Sequence, residues 1–316
     1  MPIFALDIRQ NIKEMKLNPV IIIILLFILG GFLYGPAQKK QNTNSTSKSS
    51  SSIGEKPNNK DVSENIQKTR EEIQKIEKEV KKKEEESKRS PYYKKVSMSG
   101  VSGVNNPDPN KEYITLYTNI PKGEKIKITG WYLKSETTGN WMSIGKASLL
   151  PFPFTKTESD VVLQAGDRVT VTKGFSPIGI SFRTNICTGY FEENREFSPS
   201  LYQQCPRPTD ENLPKFSTDL DRNDECLDLI ERIPVCTTKD SSFTRTLPDT
   251  VTQSCKTYIT TQINYNSCVS KHLGDTDFPG NEYRIYLNRF GPLWRAKREI
   301  IHLYDQDDLV VSTISY

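Results

Sequence analysis

The sequence predicts a mainly β domain, an antiparallel β-sandwich, that carries an α-helical, disulfide-bonded insert. Three observations predict this fold. Short runs in the C-terminal two thirds alternate between apolar and polar side chains, which is typical of half-buried strands. The periodicity becomes helical between residues 187 and 280. All six cysteines fall in or beside that helical stretch. A transmembrane helix and a short helical stalk are predicted to precede the domain.

The N-terminal part of the chain contains an apolar segment that is long enough to cross a membrane. Residues 20–34 read VIIIILLFILGGFLY, without a charged side chain. A helix needs about 20 such residues to span the hydrocarbon core. We therefore expect residues 17–35 to lie in the lipid bilayer as an uncleaved signal-anchor, and residues 1–16 to be a short cytoplasmic segment. A signal peptide that is cleaved after Ala37 is the alternative.

The segment between the membrane and the predicted domain contains a linker and a stalk. Residues 36–60 are rich in serine, asparagine and lysine, which predicts a flexible, solvated linker. Residues 61–89 are predicted to form a helical, coiled-coil-like stalk, because side chains that suit a seam recur at heptad spacing. They are Val62, Ile66, Thr69, Ile73, Ile76 and Val80. The seam predicts a homo-oligomer through residues 62–80, and a solvated single helix is the alternative. Residues 90–110, with three prolines, are predicted to be a second linker.

Residues 111–186 and 281–316 are predicted to form the β-sandwich. Ile114 and Leu116 share one face of an alternating run, and Val169 is one of several residues that repeat the pattern further along. About eight short strands of this kind, joined by hairpin-like turns, favour an antiparallel β-sandwich.

Gly130, Trp131 and Gly166 are predicted to mark the core of the sandwich. The apolar residue Ile128 lies one residue out of phase with Trp131 and Leu133, and Gly130 lies at the slip. A period-two pattern that slips by one residue at a glycine predicts a β-bulge. Trp131 is predicted to be buried, because an aromatic residue between aliphatic neighbours on a strand usually packs in the core.

Residues 187–280 are predicted to be a cysteine-bearing insert with two helices, at residues 219–233 and 250–273. If these helices form an antiparallel hairpin, the spacing of their cysteines pairs the inner two and the outer two, and leaves the first two cysteines to pair. The predicted disulfides are Cys187–Cys205, Cys226–Cys268 and Cys236–Cys255. Disulfides form in oxidising compartments, so the insert is predicted to lie outside the cytoplasm. Six reduced, buried thiols are the alternative.

Three stretches of the predicted sandwich resemble the lamin tail domain. They read EYITLYTN at residues 112–119, ITGWYL at residues 128–133 and LQAGDRV at residues 163–169. The lamin tail domain is an immunoglobulin-like β-sandwich of nuclear lamins and of many bacterial surface proteins. The resemblance therefore implies an immunoglobulin-like fold without catalytic residues. The cysteine-bearing block at residues 187–268 departs from the lamin form and is similar to an insert of bacterial membrane-anchored lamin-tail proteins.

Charge and motif content argue against several classes of function. Residues 96–316 carry 24 basic and 27 acidic side chains, whereas a nucleic-acid interface needs a basic face. A nucleic-acid partner is therefore not expected. The chain lacks the sequence motifs of a phosphate-binding loop, a zinc protease and a serine-hydrolase nucleophile elbow. No cofactor is predicted.

A calcium loop is the one metal site that the sequence suggests. Asp219, Asp221 and Asn223 have the spacing of the first three ligands of such a loop. The loop would also need glycine at its sixth position and glutamate at its twelfth, and the twelfth is Ile230. Capping of a helix explains the acidic residues more simply.

These observations predict a non-enzymatic protein of the cell membrane, with a cytoplasmic N-terminus and an external C-terminal domain. Its expected role is recognition, adhesion or scaffolding of the cell envelope, with a surface protein or polymer as the ligand. Capture of extracellular nucleic acid is the alternative function. A hydrolase that uses the carboxylates of Glu192, Glu193 and Asp224 is a further alternative.

Overall fold

A computed structural model of the chain describes residues 59–150 and 157–316. The chain divides into two compact units, residues 1–67 and 68–316. In the first unit, the structure describes only the beginning of a helix. All of the described strands belong to the second unit.

The described ranges contain five α-helices and eleven β-strands. The helices are α1 (Asn59–Ser87), α2 (Leu220–Glu231), α3 (Ser241–Arg245), α4 (Gln253–Gln262) and α5 (Tyr265–His272). The strands are β1 (Val96–Met98), β2 (Tyr113–Thr118), β3 (Ile126–Lys127), β4 (Tyr132–Ser135), β5 (Trp141–Ser143), β6 (Val162–Leu163), β7 (Arg168–Thr172), β8 (Phe182–Asn185), β9 (Pro279–Tyr286), β10 (Ile300–Tyr304) and β11 (Val310–Ser315). The fold is mainly β with helical elements, as predicted.

Three predicted segments fall on residues outside the described ranges. They are the cytoplasmic segment 1–16, the membrane segment 17–35 and the linker 36–60, of which only the last two residues are described, as the start of α1. Among the helices of residues 59–150 and 157–316, none is long and apolar enough to cross a membrane.

The prediction that residues 90–110 form a linker is wrong. Strand β1 lies in this segment and pairs with β2. The ring of Tyr92 packs against Trp131, with 5.3 Å between ring centroids. Pro109 begins a short 3₁₀ turn, where its missing N–H group is not needed. Pro109 and Pro91, which follows the carbonyl acceptor of a turn from Ser90 to Tyr93, therefore lie in turns of a folded segment.

The strands form two large sheets and one small sheet. The five-stranded sheet has the order β1-β2-β7-β9-β8, the four-stranded sheet has the order β11-β10-β4-β5, and β3 pairs with β6. Neighbouring strands are antiparallel except for β7 and β9, which are parallel. The prediction of a purely antiparallel arrangement is thus wrong at this pair. A parallel pair needs a long crossover connection, and the cysteine-bearing insert lies within the segment that connects β7 to β9.

One apolar core receives side chains from both large sheets. The alternation predicted on β2 is confirmed, since Ile114 and Leu116 are buried, and Val169 on β7 is buried as well. Trp131 is fully buried, as predicted, and is the largest fully buried side chain of the cluster. The four-stranded sheet contributes Leu133, Ile301, Leu303 and Val311.

The predicted β-bulge at Gly130 is instead a turn between two sheets. The N–H of Trp131 donates to the carbonyl of Ile128 at 3.1 Å, which closes a β-turn with Gly130 as its third residue. Gly130 has φ +90°, and Gly166 has φ +85° in a similar turn. Glycine adopts such values at no steric cost. The phase of the side chains changes at Gly130 because the chain leaves β3 and enters a strand of another sheet.

The insert contains more helices than predicted. Helix α2 begins where expected, and the side chain of Asp219 caps its N-terminus. The single helix predicted at residues 250–273 is wrong, because it is divided into α4 and α5. Asn264 lies at the break, and its side chain accepts a hydrogen bond from the N–H of Ser267 to begin α5.

All six cysteines form disulfides, as predicted, but the three predicted pairings are wrong. The bonds are Cys187–Cys268, Cys205–Cys236 and Cys226–Cys255. The prediction placed the last two cysteines on one continuous helix. Because the chain breaks at Asn264, one of them faces α2 from α4, whereas the other lies on α5 in a separate apolar cluster.

The turn after Cys187 is shaped by the disulfide beneath it. Gly189 lies so close to the bond between Cys205 and Cys236 that a Cβ atom there would clash with the sulfur of Cys236. Only glycine fits without a shift of the sulfur atoms. The glycine in the sequence Cys-Thr-Gly-Tyr at residues 187–190 is therefore required by its packing against the disulfide.

Candidate binding surface

The outer face of the four-stranded sheet carries a group of aromatic side chains. Successive side chains of a strand point to opposite faces, so the burial of Leu133 on β4 places Tyr132 on the outside. In the same way, the burial of Leu303 on β10 places His302 and Tyr304 on the outside. Trp141 joins them from the neighbouring strand β5. We call Tyr132, Trp141, His302 and Tyr304 the aromatic face.

Strand register brings these rings together. Tyr132 and Tyr304 are direct partners across β4 and β10, and their rings stack at 4.9 Å with 14° between planes. The ring of Trp141 meets Tyr132 edge-on at 6.0 Å. His302 lies 5.7 Å from Tyr304. Contacts of this kind stabilise a sheet by up to about 1 kcal/mol per pair, and here they also fix the positions of the rings.

Trp141 is the most accessible member of the aromatic face. It is 59% exposed, although burial of a tryptophan is strongly favourable. Tyr132 and Tyr304 lie beside it and are partly buried, and their stacking fixes the positions of both rings. Exposed tryptophan and tyrosine in a fixed arrangement are characteristic of protein recognition surfaces.

Polar and charged groups surround the aromatic face. The hydroxyl of Tyr132 donates to Asp308 at 2.9 Å, and burial together with that hydrogen bond raises the pKa of Tyr132 to about 12. His302 has Thr313 at 2.8 Å from Nδ1 and Glu136 at 3.1 Å from Nε2. Charged groups of both signs therefore lie on this face, since Lys134 is exposed on β4 in register with Trp141 and His302.

Partial burial, with Glu136 and Asp308 nearby, also raises the pKa of Tyr304. Both tyrosines of the aromatic face thus stay neutral over the physiological range. The hydroxyl group of Tyr304 can donate a hydrogen bond to a ligand, which an ionised phenol cannot do, whereas the hydroxyl of Tyr132 already donates to Asp308.

A second candidate site is a cleft where the insert meets strands β8 and β9. Its volume is about 360 Å³, and Tyr202 on its wall is 71% exposed. The hydroxyl of Tyr202 accepts a hydrogen bond from Gln204 at 2.6 Å. Arg168 and Glu282 form an ion pair at 2.9 Å on the opposite side. We call this site the Tyr202 cleft.

The residues of the predicted calcium loop serve as helix caps and turn partners. Asp219 accepts from the N–H of Arg222 at the start of α2, and Asn223 accepts from the N–H of Phe216 at 2.9 Å. Asp221 is exposed in the first turn of the helix. Within the part of the chain that the structure describes, no group of three or more histidine, cysteine, aspartate or glutamate residues is placed to hold a metal ion.

The three carboxylates considered for a hydrolase have separate surroundings. Glu192 accepts from the N–H of Leu201 at 3.0 Å, and Glu193 accepts from the N–H of Thr238 at 3.0 Å. Asp224 is exposed on α2. Both glutamates therefore hold neighbouring loops in place.

Sequence reasoning identified only part of the aromatic face. His302 lies between Ile301 and Leu303, so alternation along the strand predicts an outward position for it, and it lies there. Tyr132 could have been found from the same rule, because it lies between two residues predicted to be buried. Its proximity to Trp141 and Tyr304 depends on strand pairing, which alternation along one strand does not reveal.

Comparison with known proteins adds no assignment. No family model, no curated protein and no solved structure matches this chain. The geometry of the aromatic face and the charges around it are the basis for the function proposed below.

Proposed function

We propose that this chain is a non-catalytic recognition module of the cell membrane, anchored through residues 17–35. The N-terminal residues 1–16 are assigned to the cytoplasm and the cysteine-bearing domain to the exterior. Two observations support this topology. The apolar segment has the length of a membrane-spanning helix, and three disulfides suit an oxidising compartment.

The proposal includes an immunoglobulin-like sandwich of the lamin tail type. Support comes from the shared core, in which Leu116 of the five-stranded sheet and Leu303 of the four-stranded sheet belong to one cluster around Trp131. The Gly130–Trp131 step, which carries the resemblance, lies where the chain enters β4.

The aromatic face is the observation that carries the proposed function. A surface protein is the proposed ligand, because the exposed Trp141 and the partly buried Tyr132 and Tyr304 form an aromatic group with polar and charged side chains beside it. Interfaces between proteins have this composition, and a few aromatic residues supply most of their binding energy. Adhesion or scaffolding of the envelope follows from display of such a surface on an anchored domain.

A binding experiment with the full chain in lipid nanodiscs tests this function. Nanodiscs that contain the chain are titrated with solubilised surface proteins of the cells that produce this protein. In a separate titration they receive the purified surface polysaccharide of the same cells. We expect saturable binding to the protein fraction, weakened about thirtyfold by Trp141→Ala, since loss of an interface anchor costs about 2 kcal/mol. Tyr117→Ala is the matched control, because it removes an aromatic ring that is also about half exposed from β2, in the other large sheet.

Three results would contradict the proposal. Equal binding by the wild type and Trp141→Ala would remove the aromatic face as the site. Binding to the polysaccharide alone would replace the protein ligand by a polymer. In the third result, added protease cuts the domain in lysed cells but not in intact cells. This result would place the domain on the cytoplasmic side.

A further inference from the structure

Helix α1 exposes an apolar stripe along one side. Ile66, Ile73, Ile76 and Val80 are each 49–59% exposed, and they recur at heptad spacing. Side chains of this type are usually buried, and burial of one aliphatic side chain contributes about 1.5–3 kcal/mol. The stripe has the form of a coiled-coil seam without a second helix. It ends at Val80, because the next seam position is occupied by Lys83.

The positions that flank this seam are mostly acidic. With Ile66, Ile73 and Val80 at the a positions of the heptad, the g positions after the first two are Glu72 and Glu79. The e positions are Arg70, Glu77 and Glu84. The lysines lie mainly at positions on the far side of the helix, at Lys68, Lys75, Lys78, Lys81 and Lys82. Negative charge therefore predominates beside the seam, whereas the far side of α1 carries both lysines and glutamates.

A second copy of α1 fits this seam poorly. In a parallel pair, each g position meets the e position of the next heptad on the partner, so Glu72 would face Glu77 and Glu79 would face Glu84. In an antiparallel pair, g positions meet g positions, and these again carry glutamates. Like charges at these positions destabilise a pair and commonly prevent self-association.

We infer that the seam of α1 binds a helix of a different protein, one with apolar residues at its seam and lysine or arginine at its flanking positions. Such a helix would bury Ile73, Ile76 and Val80 and would pair its cations with Glu72, Glu77, Glu79 and Glu84. The inference proposes a basic helix in place of the second copy that was expected as the partner of residues 62–80. It is independent of the ligand proposed for the aromatic face.

Two synthetic helices with roughly four heptads each test this inference. Both have isoleucine at every seam position, and they differ only at e and g, which are lysine in the basic probe and glutamate in the acidic probe. The wild-type full chain in detergent micelles is expected to bind the basic probe at least about tenfold more tightly at low salt. The preference should shrink in high salt, because exposed charges are screened.

A charge exchange on α1 provides the decisive variant. Glu72→Lys with Glu79→Lys places lysines opposite Glu77 and Glu84 of a second copy, so this variant should self-associate, measured by energy transfer between labelled chains. Its preference for the basic probe should be reduced about tenfold or more. The control is Glu71→Lys with Glu85→Lys, which makes the same change of charge at f positions away from the seam. The control should behave as the wild type does.

The inference is overturned by either of two outcomes. Wild-type chains that associate with one another as strongly as with the basic probe would make a second copy the occupant. The second outcome is a wild-type chain that binds both probes equally, or binds neither, while circular dichroism shows that the helix is intact. The stripe would then have no coiled-coil function.

Discussion

The β body and the cysteine-bearing insert are stabilised in different ways. In the body, both large sheets contribute to one continuous apolar cluster around Trp131. The insert divides its apolar side chains between two smaller clusters, one shared with β8 and β9 and one between α2 and α4. Each small cluster contains at least one disulfide. The comparison indicates that a small core relies on covalent bridges, whereas the larger core relies on packing.

The largest effect is expected for truncation of the central side chain of the β body. Trp131→Ala should destabilise the chain by about 3–5 kcal/mol, because it removes the largest buried ring and leaves a cavity. Thermal unfolding followed by circular dichroism should show a decrease in Tm of about 10 °C. The change should affect the strands of both large sheets.

Trp141→Ala is the matched control for this prediction. It removes the same side chain from an exposed position and breaks only the edge contact with Tyr132, so its effect on stability should stay within about 1 kcal/mol. Equal decreases in Tm for the two variants would show that burial is not what makes Trp131 important.

The second prediction concerns the disulfide between α2 and α4. Replacement of Cys226 and Cys255 together by alanine should destabilise the insert by about 3–4 kcal/mol, given their separation of 29 residues. Hydrogen exchange measured by mass spectrometry should show faster exchange in these helices. Amides of β2 and β7 should retain their protection, because they lie in the core of the body.

Peptide mapping without reductant provides the control for this variant. The remaining bonds, Cys187–Cys268 and Cys205–Cys236, should be recovered unchanged. If protection were lost equally in the body and the insert, the two regions would unfold as one unit, and the comparison between them would fail.

The smallest effect concerns a buried carboxylate of the body. Burial alone would raise the pKa of Glu299, but hydrogen bonds from the N–H of Arg295, the hydroxyl of Ser135 and the N–H of Ile300 hold its pKa below the usual value. The folded state therefore binds this proton less readily than the unfolded state does. The stabilisation from Glu299 is present above about pH 5 and is lost as the pH falls through the lowered pKa.

Glu299→Gln tests this linkage. The variant should be destabilised by about 1.5–3 kcal/mol at pH 7, because buried donors lose a charged acceptor. The difference in unfolding free energy between wild type and variant should narrow below pH 4, as measured by urea denaturation across a pH series. A difference that does not change with pH would show that Glu299 does not contribute through its charge.

Several features of the body could be predicted from local patterns. Alternation identified the core-facing apolar residues of β2 and β7, because side chains that point to one face of a strand recur with a period of two residues. It did not reveal that Thr170 and Thr172 on the other face of β7 are buried as well. Trp131 was predicted to be buried from its aliphatic neighbours. The slip at Gly130 was detected correctly, but a change of phase is the same for a bulge and for a turn into another sheet. Strand pairing, which distinguishes them, involves residues distant in the sequence.

The insert was harder to predict because its determinants are not local. Six cysteines allow 15 pairings, and their spacing favoured a hairpin that assumed one continuous helix. The break at Asn264 changes the direction of the chain and separates the two cysteines on either side of it. A capping asparagine within a helical pattern is the signal that could have indicated this break.

By itself, the amino-acid sequence determined which residues alternate, where helical periodicity begins and that the cysteines form a bonded set. These properties depend on neighbours along the chain, so they can be recognised from spacing alone. Only the tertiary structure decided which cysteines pair, that β7 and β9 run parallel and that Tyr132, Trp141 and Tyr304 share one face. Such contacts join residues that are far apart in the chain, and they are selected by the packing of the whole fold rather than by any local preference.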